Sequence, residues 1–508
     1  MAEEQDREQK QSWDGRSRSN SIFSEAIDTQ TDWNDLISKM EQNRGTIEDF
    51  KKLMYKCQSK RKEFVSLLLE HSVEENDHQL QSFIEVTSQC LHFLNKTRAI
   101  LDCGHSHMKE ILSTNDEKLS IYVKDELFGM KKDIDFLDKF HLFFTERQNS
   151  AQKISISQYL TQMDFLSVLP HYHSIDFLKE HAECVRFMEQ LRSGSANGVE
   201  ELKPILITDW DGTMKDYCSQ YATNLQPIYS AISLAQFSKN YTRHTAVLTA
   251  GPLRGPGILD LIALPKDGPI VFGGSWGREW WLNGKRVVHD EGISDEGLNA
   301  LERLSDEMSN LLEDKEFARF GLIGSGCSAE GVQTVFNHVN AELSAKYQNE
   351  VKERVHRVDP HSQVKRTLVQ LYFIGEDFQF LHFEPSAGLE VEVVVHKDGT
   401  VWNKAKGVIK IIETLGESLE KGKVLVCGDT FSDIPMVIYG ASKNPTGMMA
   451  LFVTSDESLQ QRVLEIVKDK DRCCFVSTPD VIHAAVMMTL LKTAQQKGNV
   501  DEKEKEVN

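Results

Sequence analysis

Residues 204–213 read PILITDWDGT, an apolar, β-branched run that stops at two aspartates, a glycine and a threonine. A short run of this kind ending in polar residues is the pattern of a buried parallel strand, with a ligand-binding loop at its carboxyl end. Asp209 and Asp211 then stand together at the mouth of a sheet. Two carboxylates one residue apart can divide labour, one as nucleophile or metal ligand and the other as acid and base. Asp-x-Asp-Gly also occurs in calcium loops and plain turns. The MKDYCSQY that follows at 214–221 lacks the ligands and the closing glutamate of an EF-hand loop. On this stretch alone a structural turn and a catalytic pair both remain open.

Downstream, strands alternate with single helices. PILIT is followed by a helical stretch through 221–240, then TAVLTAG (245–251), then GPIVFGG (268–274). This alternation indicates a parallel sheet with crossover helices. From 277 to 402 the pattern changes to a helix (295–314), a Gly-rich stretch (320–331), a second helix (340–355) and alternating strands at 367–374, 380–386 and 389–402, which reads as an α+β insert. The α/β pattern resumes with KGVIKIIETLG (406–416) and KVLVCGD (423–429), and runs to about residue 495.

Upstream the chain is different in kind. Residues 1–30 are polar and read as a disordered arm, with a basic serine cluster at 15–21 that offers a kinase target or a plain solvated tail. From 31 to 195 apolar residues recur at three- and four-residue steps. Helices are expected at 49–72, 78–101, 110–148 and 175–194, forming an all-α helical bundle or coiled coil. Its histidines (His71, His78, His92, His105 and His107) are scattered among charged neighbours and read as surface residues. The bundle's expected work is association, with itself, with another protein or with the catalytic part. SGSANGVEELKP (193–204) is the linker, and the core is assigned to 204–276 plus 403–495, the insert to 277–402 and a charged disordered tail to 496–508.

Composition bounds the function. With 508 residues and 40% hydrophobic content the chain has material for several cores. The formal charge of −19, from 58 basic and 77 acidic side chains, argues against nucleic acid and anionic membranes as partners. No apolar run approaches the ~20 residues that span a bilayer, and the amino terminus is charged where a secretory signal would be apolar. A cytoplasmic location is expected. Nine cysteines show no C-x-x-C pair, so buried reduced thiols are the simplest reading.

Three further pieces fall at strand or helix ends. Thr249 closes TAVLT, where a hydroxyl can meet a phosphoryl oxygen or sit in an ordinary turn. Lys406 precedes Gly407 at the start of an amphipathic helix, a place suited to an anion, with Lys404 as the competing choice. KVLVCGDTFSD places Asp429 at a strand end and Asp433 four residues on. Four acids at one end of a sheet repel one another unless a cation joins them, and Mg2+ with oxygen ligands suits phosphate chemistry.

The order DWDGT, strand-end Thr249, Lys406-Gly407 and GDTFSD resembles the four motifs of the haloacid-dehalogenase superfamily of aspartate-nucleophile phosphatases. The long gap between the second and third pieces is similar to the place where the sugar-phosphatase branch inserts its cap. FGGSWGREWW (272–281), KGVIKII and GDTFSDIPM, joined to a helical amino-terminal region, resemble the nematode-type trehalose-6-phosphate phosphatase family. The fold implied is a Rossmann-like α/β haloacid-dehalogenase core with an α+β cap insert, preceded by the helical bundle. The activity implied is Mg2+-dependent hydrolysis of trehalose 6-phosphate, the last step of trehalose biosynthesis. The alternatives are another sugar phosphate such as a sucrose or hexose phosphate, or an idle scaffold.

In this reading Asp209 is the nucleophile and Asp211 the general acid and base, with Thr249 and Lys406 binding phosphate. The metal is held by Asp209, the backbone carbonyl of Asp211 and Asp429, supported by Asp433. Thr430 departs from the wider family pattern, in which a second acid often follows the first. For the sugar, His382, Glu384 and Glu390 are candidates, with a turn at Ser325–Ser328 and with Trp276, Trp280 and Trp281 as stacking or core residues.

Overall fold

The computed structural model describes residues 32–507 apart from 71–76, 113–117, 149–154, 164, 170–174, 193–201, 219–222, 224, 255–256, 290–294, 313, 315, 318–325, 328–330, 336–340, 360–380, 387–389 and 396–401. The amino-terminal arm, its serine cluster and the strand expected at 367–374 lie outside the described residues.

The helical region begins with α1 (Trp33–Glu41), α2 (Ile47–Glu70) and α3 (Asp77–Leu101). Phe50, Leu53, Met54, Cys57, Phe64, Val65 and Leu68 form one buried stripe on α2, as their spacing requires. The expected helix 110–148 is not continuous. It opens with a hairpin, β1 (Met108–Leu112) against β2 (Lys118–Tyr122), and only then becomes α4 (Lys124–Gln148). In MKEIL and KLSIY the buried positions alternate, so that Lys109, Ile111, Leu119 and Ile121 line one face; a period of two defeats the helical reading. α5 (Ile156–Gln162) and α6 (Ile175–Arg192) complete the region. Phe64 meets Phe140 edge-on at 5.8 Å between centroids, and Phe83 stacks on Phe144 at 5.3 Å, tying α2 and α3 to α4. His78, His92 and His105 are exposed, as expected.

β3 (Ile205–Asp209), α7 (Ile228–Tyr241), β4 (His244–Leu248), α8 (Ile258–Leu261) and β5 (Ile270–Gly274) open the α/β part. The hairpin β6 (Glu279–Leu282) and β7 (Lys285–Val288) follows. The insert holds α9 (Asp295–Leu312), β8 (Gly326–Cys327), β9 (Gly331–Val335), α10 (Ala341–Val358), β10 (Leu381–Ser386) and β11 (Glu390–Val395), with an antiparallel sheet ordered β10-β11-β9-β8. The core resumes with α11 (Lys404–Thr414), β12 (Val424–Gly428), α12 (Ile434–Lys443), β13 (Met448–Val453), α13 (Glu457–Val467), β14 (Cys473–Val476) and α14 (Pro479–Val507).

The core sheet runs β14-β13-β12-β3-β4-β5-β6-β7, its first six strands parallel and its last two antiparallel. The hairpin β6–β7 therefore belongs to the core sheet, with Gly273 opposite Trp280, and the insert begins after it instead of at 277. Successive residues of β3 face opposite ways. Ile205 and Ile207 pack with Val408 and Ile411 of α11 and Val437 of α12, whereas Leu206 packs with the layer of α7 and α14. Burial on both faces accounts for the unbroken apolar runs. The tail expected to be disordered from 496 continues α14 to Val507; its DEKEKE run is rich in the good helix formers Glu and Lys.

The second apolar layer passes without interruption from the helical region into the core, from Phe64 and Phe140 to Tyr229 and Ile482. The helical region thus docks on the α/β core. Buried polar contacts fix the docking. Arg61 pairs with Asp133 at 2.7 Å, and Asp133 in turn accepts the amide of Ile228 at 2.7 Å, supplying from α4 the cap that Pro227 cannot give to α7. Gln58 donates to the carbonyl of Leu261 at 2.7 Å.

Candidate active site

β3 lies at the point where strand order reverses, with β4 on one side and β12 on the other, so its carboxyl end opens into the crevice where open α/β sheets bind ligands. The chain turns there on Gly212, at φ 79°. A Cβ at that position would stand 2.2 Å from Oδ2 of Asp429, so only glycine lets the two loops approach. The turn is closed by bonds from the Met214 amide to the Trp210 carbonyl (2.9 Å) and from the Gly212 amide to the Lys215 carbonyl (3.0 Å).

Asp209 is buried, its Oδ1 accepting from Nζ of Lys404 and its Oδ2 from Oγ1 of Thr213 at 3.2 Å. Thr213 also reaches Oδ1 of Asp429 at 3.3 Å. Asp211 accepts from Oγ1 of Thr249 at 3.1 Å on Oδ2, and its Oδ1 lies 2.8 Å from Nζ of Lys215. Thr249, at the end of β4, thus has its hydroxyl on Asp211, and it accepts the Gly251 amide at 3.2 Å. Reading the sequence did not single out Lys215 or Thr213.

The lysine at the carboxylates is Lys404. Asn403 caps α11, its side chain accepting the amide of Lys406 at 3.2 Å, which makes Lys404 the first residue of the helix. Nζ of Lys404 bridges Asp209 and, at 2.5 Å, Oδ1 of Asp433. Lys406 is two residues on, roughly 200° around the helix, and cannot share that direction; of the two lysines weighed for the phosphate, Lys404 is the one whose ammonium stands among the carboxylates. Burial opposes the charge of Lys404, but Asp209 and Asp433 hold its pKa above the ordinary lysine value.

Asp433 is fully committed. Its Oδ2 accepts the amides of Asp429 (3.0 Å) and Thr430 (3.1 Å) and the Thr430 hydroxyl (3.3 Å), while Oδ1 faces Lys404. Thr430, which stands where the wider family pattern often has a second acid, caps this short turn. Carboxylate oxygens of Asp209, Asp429 and Asp433 all lie within 4.8 Å of one another. Burial pushes the carboxyl of Asp209 up to about 7 against the pull of Lys404, and burial with the neighbouring Asp209 and Asp433 raises that of Asp429. Acids crowded in this way gain from a cation, and an all-oxygen donor set suits a hard divalent ion. Asp433 takes three donors on Oδ2 and Lys404 on Oδ1, whereas Asp209 takes one donor on each oxygen and Asp429 takes Thr213 on Oδ1, so Asp209 and Asp429 keep the greater lone-pair capacity for an ion.

The loop after β5 closes the crevice on the β4 side. Ser275 and Trp276 adopt left-handed backbone at φ 51° and 56°, a costly state for residues with side chains. Buried Glu279 holds them, accepting from Ser275 Oγ at 2.7 Å and the Leu253 amide at 2.9 Å. Trp276 donates its amide to the Thr249 carbonyl at 2.9 Å, and its carbonyl accepts Nε1 of Trp402 at 3.1 Å. Trp280 is a core residue packed on Gly273, and Trp281 is bonded to Asp267. His382, Glu384 and Glu390 are on β10 and β11, where His382 pairs with Val394 and Glu390 with Ser386 in backbone register. Their side chains lie outside the described residues, as do Ser325 and Ser328.

Residues 206–482 match the family described as "Trehalose-6-phosphate phosphatase, C-terminal", and 46–155 match "Trehalose-6-phosphate phosphatase N-terminal helical bundle domain". The chain is 48% identical over 459 residues to the trehalose-phosphatase of Brugia malayi, covering 88% of this chain and 86% of that one. It is 44% identical over 456 residues to the trehalose-phosphatase of Caenorhabditis elegans, covering 88% and 96%. The acid pair at the end of β3, the bridging lysine and the helical region are thus found in a chain that belongs to the trehalose-6-phosphate phosphatase family.

Proposed function

We propose that the protein hydrolyses trehalose 6-phosphate to trehalose and phosphate, with Mg2+, through an aspartyl-phosphate on Asp209. The observation that carries the chemistry is the placing of Asp209 at the strand-order reversal, held on one oxygen by Lys404, with Asp211 two residues away and bonded to Thr249. The substrate rests on the relatives named trehalose-phosphatase.

A carboxylate oxygen of Asp209 attacks phosphorus in line, and the bond from phosphorus to the sugar oxygen breaks. Asp211 gives its proton to that departing oxygen, then takes one from the water that attacks phosphorus and frees phosphate and Asp209. Acid–base help of this kind is worth roughly 10²–10⁴-fold in rate. Lys404 fixes the nucleophile and offsets charge on the phosphoryl group, and Thr249 turns its hydroxyl between Asp211 and a phosphoryl oxygen. Asp209, Asp429 and the Asp211 carbonyl would hold Mg2+, which would further neutralise the phosphoryl oxygens. Asp433 supports Lys404 and the turn. The insert serves as the cap, with His382, Glu384 and Glu390 reading the sugar. A cytoplasmic setting agrees with the free thiols of the described cysteines, and no helix among the described residues is long and apolar enough to cross a membrane.

Phosphate release from trehalose 6-phosphate, glucose 6-phosphate and sucrose 6-phosphate, with Mg2+ and with a chelator, tests this reading. Turnover of trehalose 6-phosphate well above the others, lost on chelation, is expected. Equal turnover of all three, or turnover indifferent to chelation, refutes it.

A further inference from the structure

The loop that carries Asp211 does not end in the core. Residues 211–216 run from Asp211, paired with Lys215, to Asp216, whose Oδ2 meets Nζ of Lys132 at 2.6 Å. Lys132 belongs to α4 of the helical region and is 1% exposed. The same Nζ pairs with Oδ2 of Asp480, in the first turn of α14, at 2.6 Å, and approaches the hydroxyl of Tyr229 in α7 at 3.3 Å. Tyr229 also bonds Asp480. One turn further along α14, Nε2 of His483 donates to the carbonyl of Met214 (2.8 Å), which also accepts from Ser230 at 2.7 Å. The loop is thus held at Met214 by the core and at Asp216 by the helical region.

A lysine with no solvent contact is costly unless its charge is met. Here burial works against the ammonium, yet Tyr229, Asp480 and Asp216 together hold it charged. Packing needs alone would be satisfied by an apolar residue at 132. What the charge adds is direction, because it fixes the side chain of Asp216, the immediate neighbour of the lysine paired with Asp211.

We propose that Lys132 of the helical region is a positioning residue for Asp211, acting through the Lys132–Asp216 bridge and the Lys215–Asp211 pair. The inference rests on the reading of Asp211 as the acid and base. It gives the helical region a part in the reaction: the catalytic loop reaches its working geometry only with α4 in place. Small displacements of a reacting group are expensive, about 10²-fold for roughly 1 Å.

Asp216→Ala, in the full chain, removes the loop's end of the bridge and leaves Lys132 with Asp480, so buried charge stays compensated. Turnover of trehalose 6-phosphate is expected to fall on the order of 10- to 100-fold with KM little changed, and Lys132→Met is expected to do the same. Each change is then repeated in an Asp211→Asn background, where the residual rate is measured. Residues acting through Asp211 produce no further loss there, whereas a loosened fold multiplies the loss in both backgrounds. If Lys132→Met does not fold, Asp216→Ala alone decides. Unchanged kcat in folded Asp216→Ala, or equal losses in the two backgrounds, overturns the proposal. A wild type inactive on trehalose 6-phosphate instead refutes the proposed function, and an Asp211→Asn variant as fast as wild type refutes the assignment of Asp211.

Discussion

Replacing Glu126 by glutamine removes a carboxyl held at the seam between the helical region and the core. Glu126 of α4 is 5% exposed; Oε1 accepts from Thr223 at 2.7 Å and faces Sγ of Cys218 at 3.7 Å, and Oε2 has no hydrogen-bond partner among the described residues. Burial pushes its pKa from 4.5 up to about 7, against the bond from Thr223. Between those values the folded chain holds a proton that the unfolded chain has released, so stability falls as pH rises through the window and the whole deficit is present above 7. With a difference of 7 − 4.5 pH units, at about 1.4 kcal/mol each, the deficit is about 3 kcal/mol at most. Glutamine is isosteric with the neutral acid and keeps the oxygen that Thr223 uses, so it escapes the deficit. Calorimetric melting of wild type and Glu126→Gln at pH 5 and pH 8 reads the effect. The variant should melt only slightly higher at pH 5, where the deficit has just begun, and several degrees higher at pH 8. A variant no more stable than wild type at pH 8, or an offset that does not change with pH, refutes the reasoning.

Two more outcomes follow from the contacts. Lys404→Met should cost turnover by on the order of 10²-fold or more, since it removes the charge on Asp209, whereas Lys406→Met should stay near wild type; the reverse ranking in a phosphate-release assay contradicts the site. Asp133→Ala leaves Arg61 buried without its partner and the first amide of α7 uncapped, and should destabilise by about 3–5 kcal/mol, read as a lowered denaturant midpoint. An unmoved midpoint would mean that the seam is not held there.

The core and its acids were legible because they obey local rules. A β-branched run that halts at an acid reads as a buried strand with its loop at the sheet's edge, and the strand ending at Gly428 halts at Asp429 in the same way; the two together gave Asp-x-Asp-Gly a meaning that it lacked alone. Lys404 stood second to Lys406 for a readable reason: the helix was begun at the apolar VIKII, although Asn403 is a good cap and places Lys404 in the first position. The hairpin at 108–122 was missed because five-residue alternations are short beside a helical run of twenty-five residues. Lys132, Asp133 and Glu126 had no signal at all. Charged residues in KDELFGMKKDID read as a solvated helix face, and only packing against α7 and α14 turns that face inward. The docking of the helical region on the core is therefore a tertiary fact, and it was one of three roles that spacing left open.

The central claim is that phosphate passes through a covalent bond to Asp209. Enzyme turning over trehalose 6-phosphate can be quenched in acid and reduced with borohydride, which converts an aspartyl-phosphate to homoserine, and the peptide spanning residues 204–213 then examined by mass spectrometry. The account predicts homoserine at position 209, absent without substrate and absent from Asp209→Asn. An unmodified Asp209 under conditions where wild type turns over, or an Asp209→Asn variant that retains turnover, would contradict it.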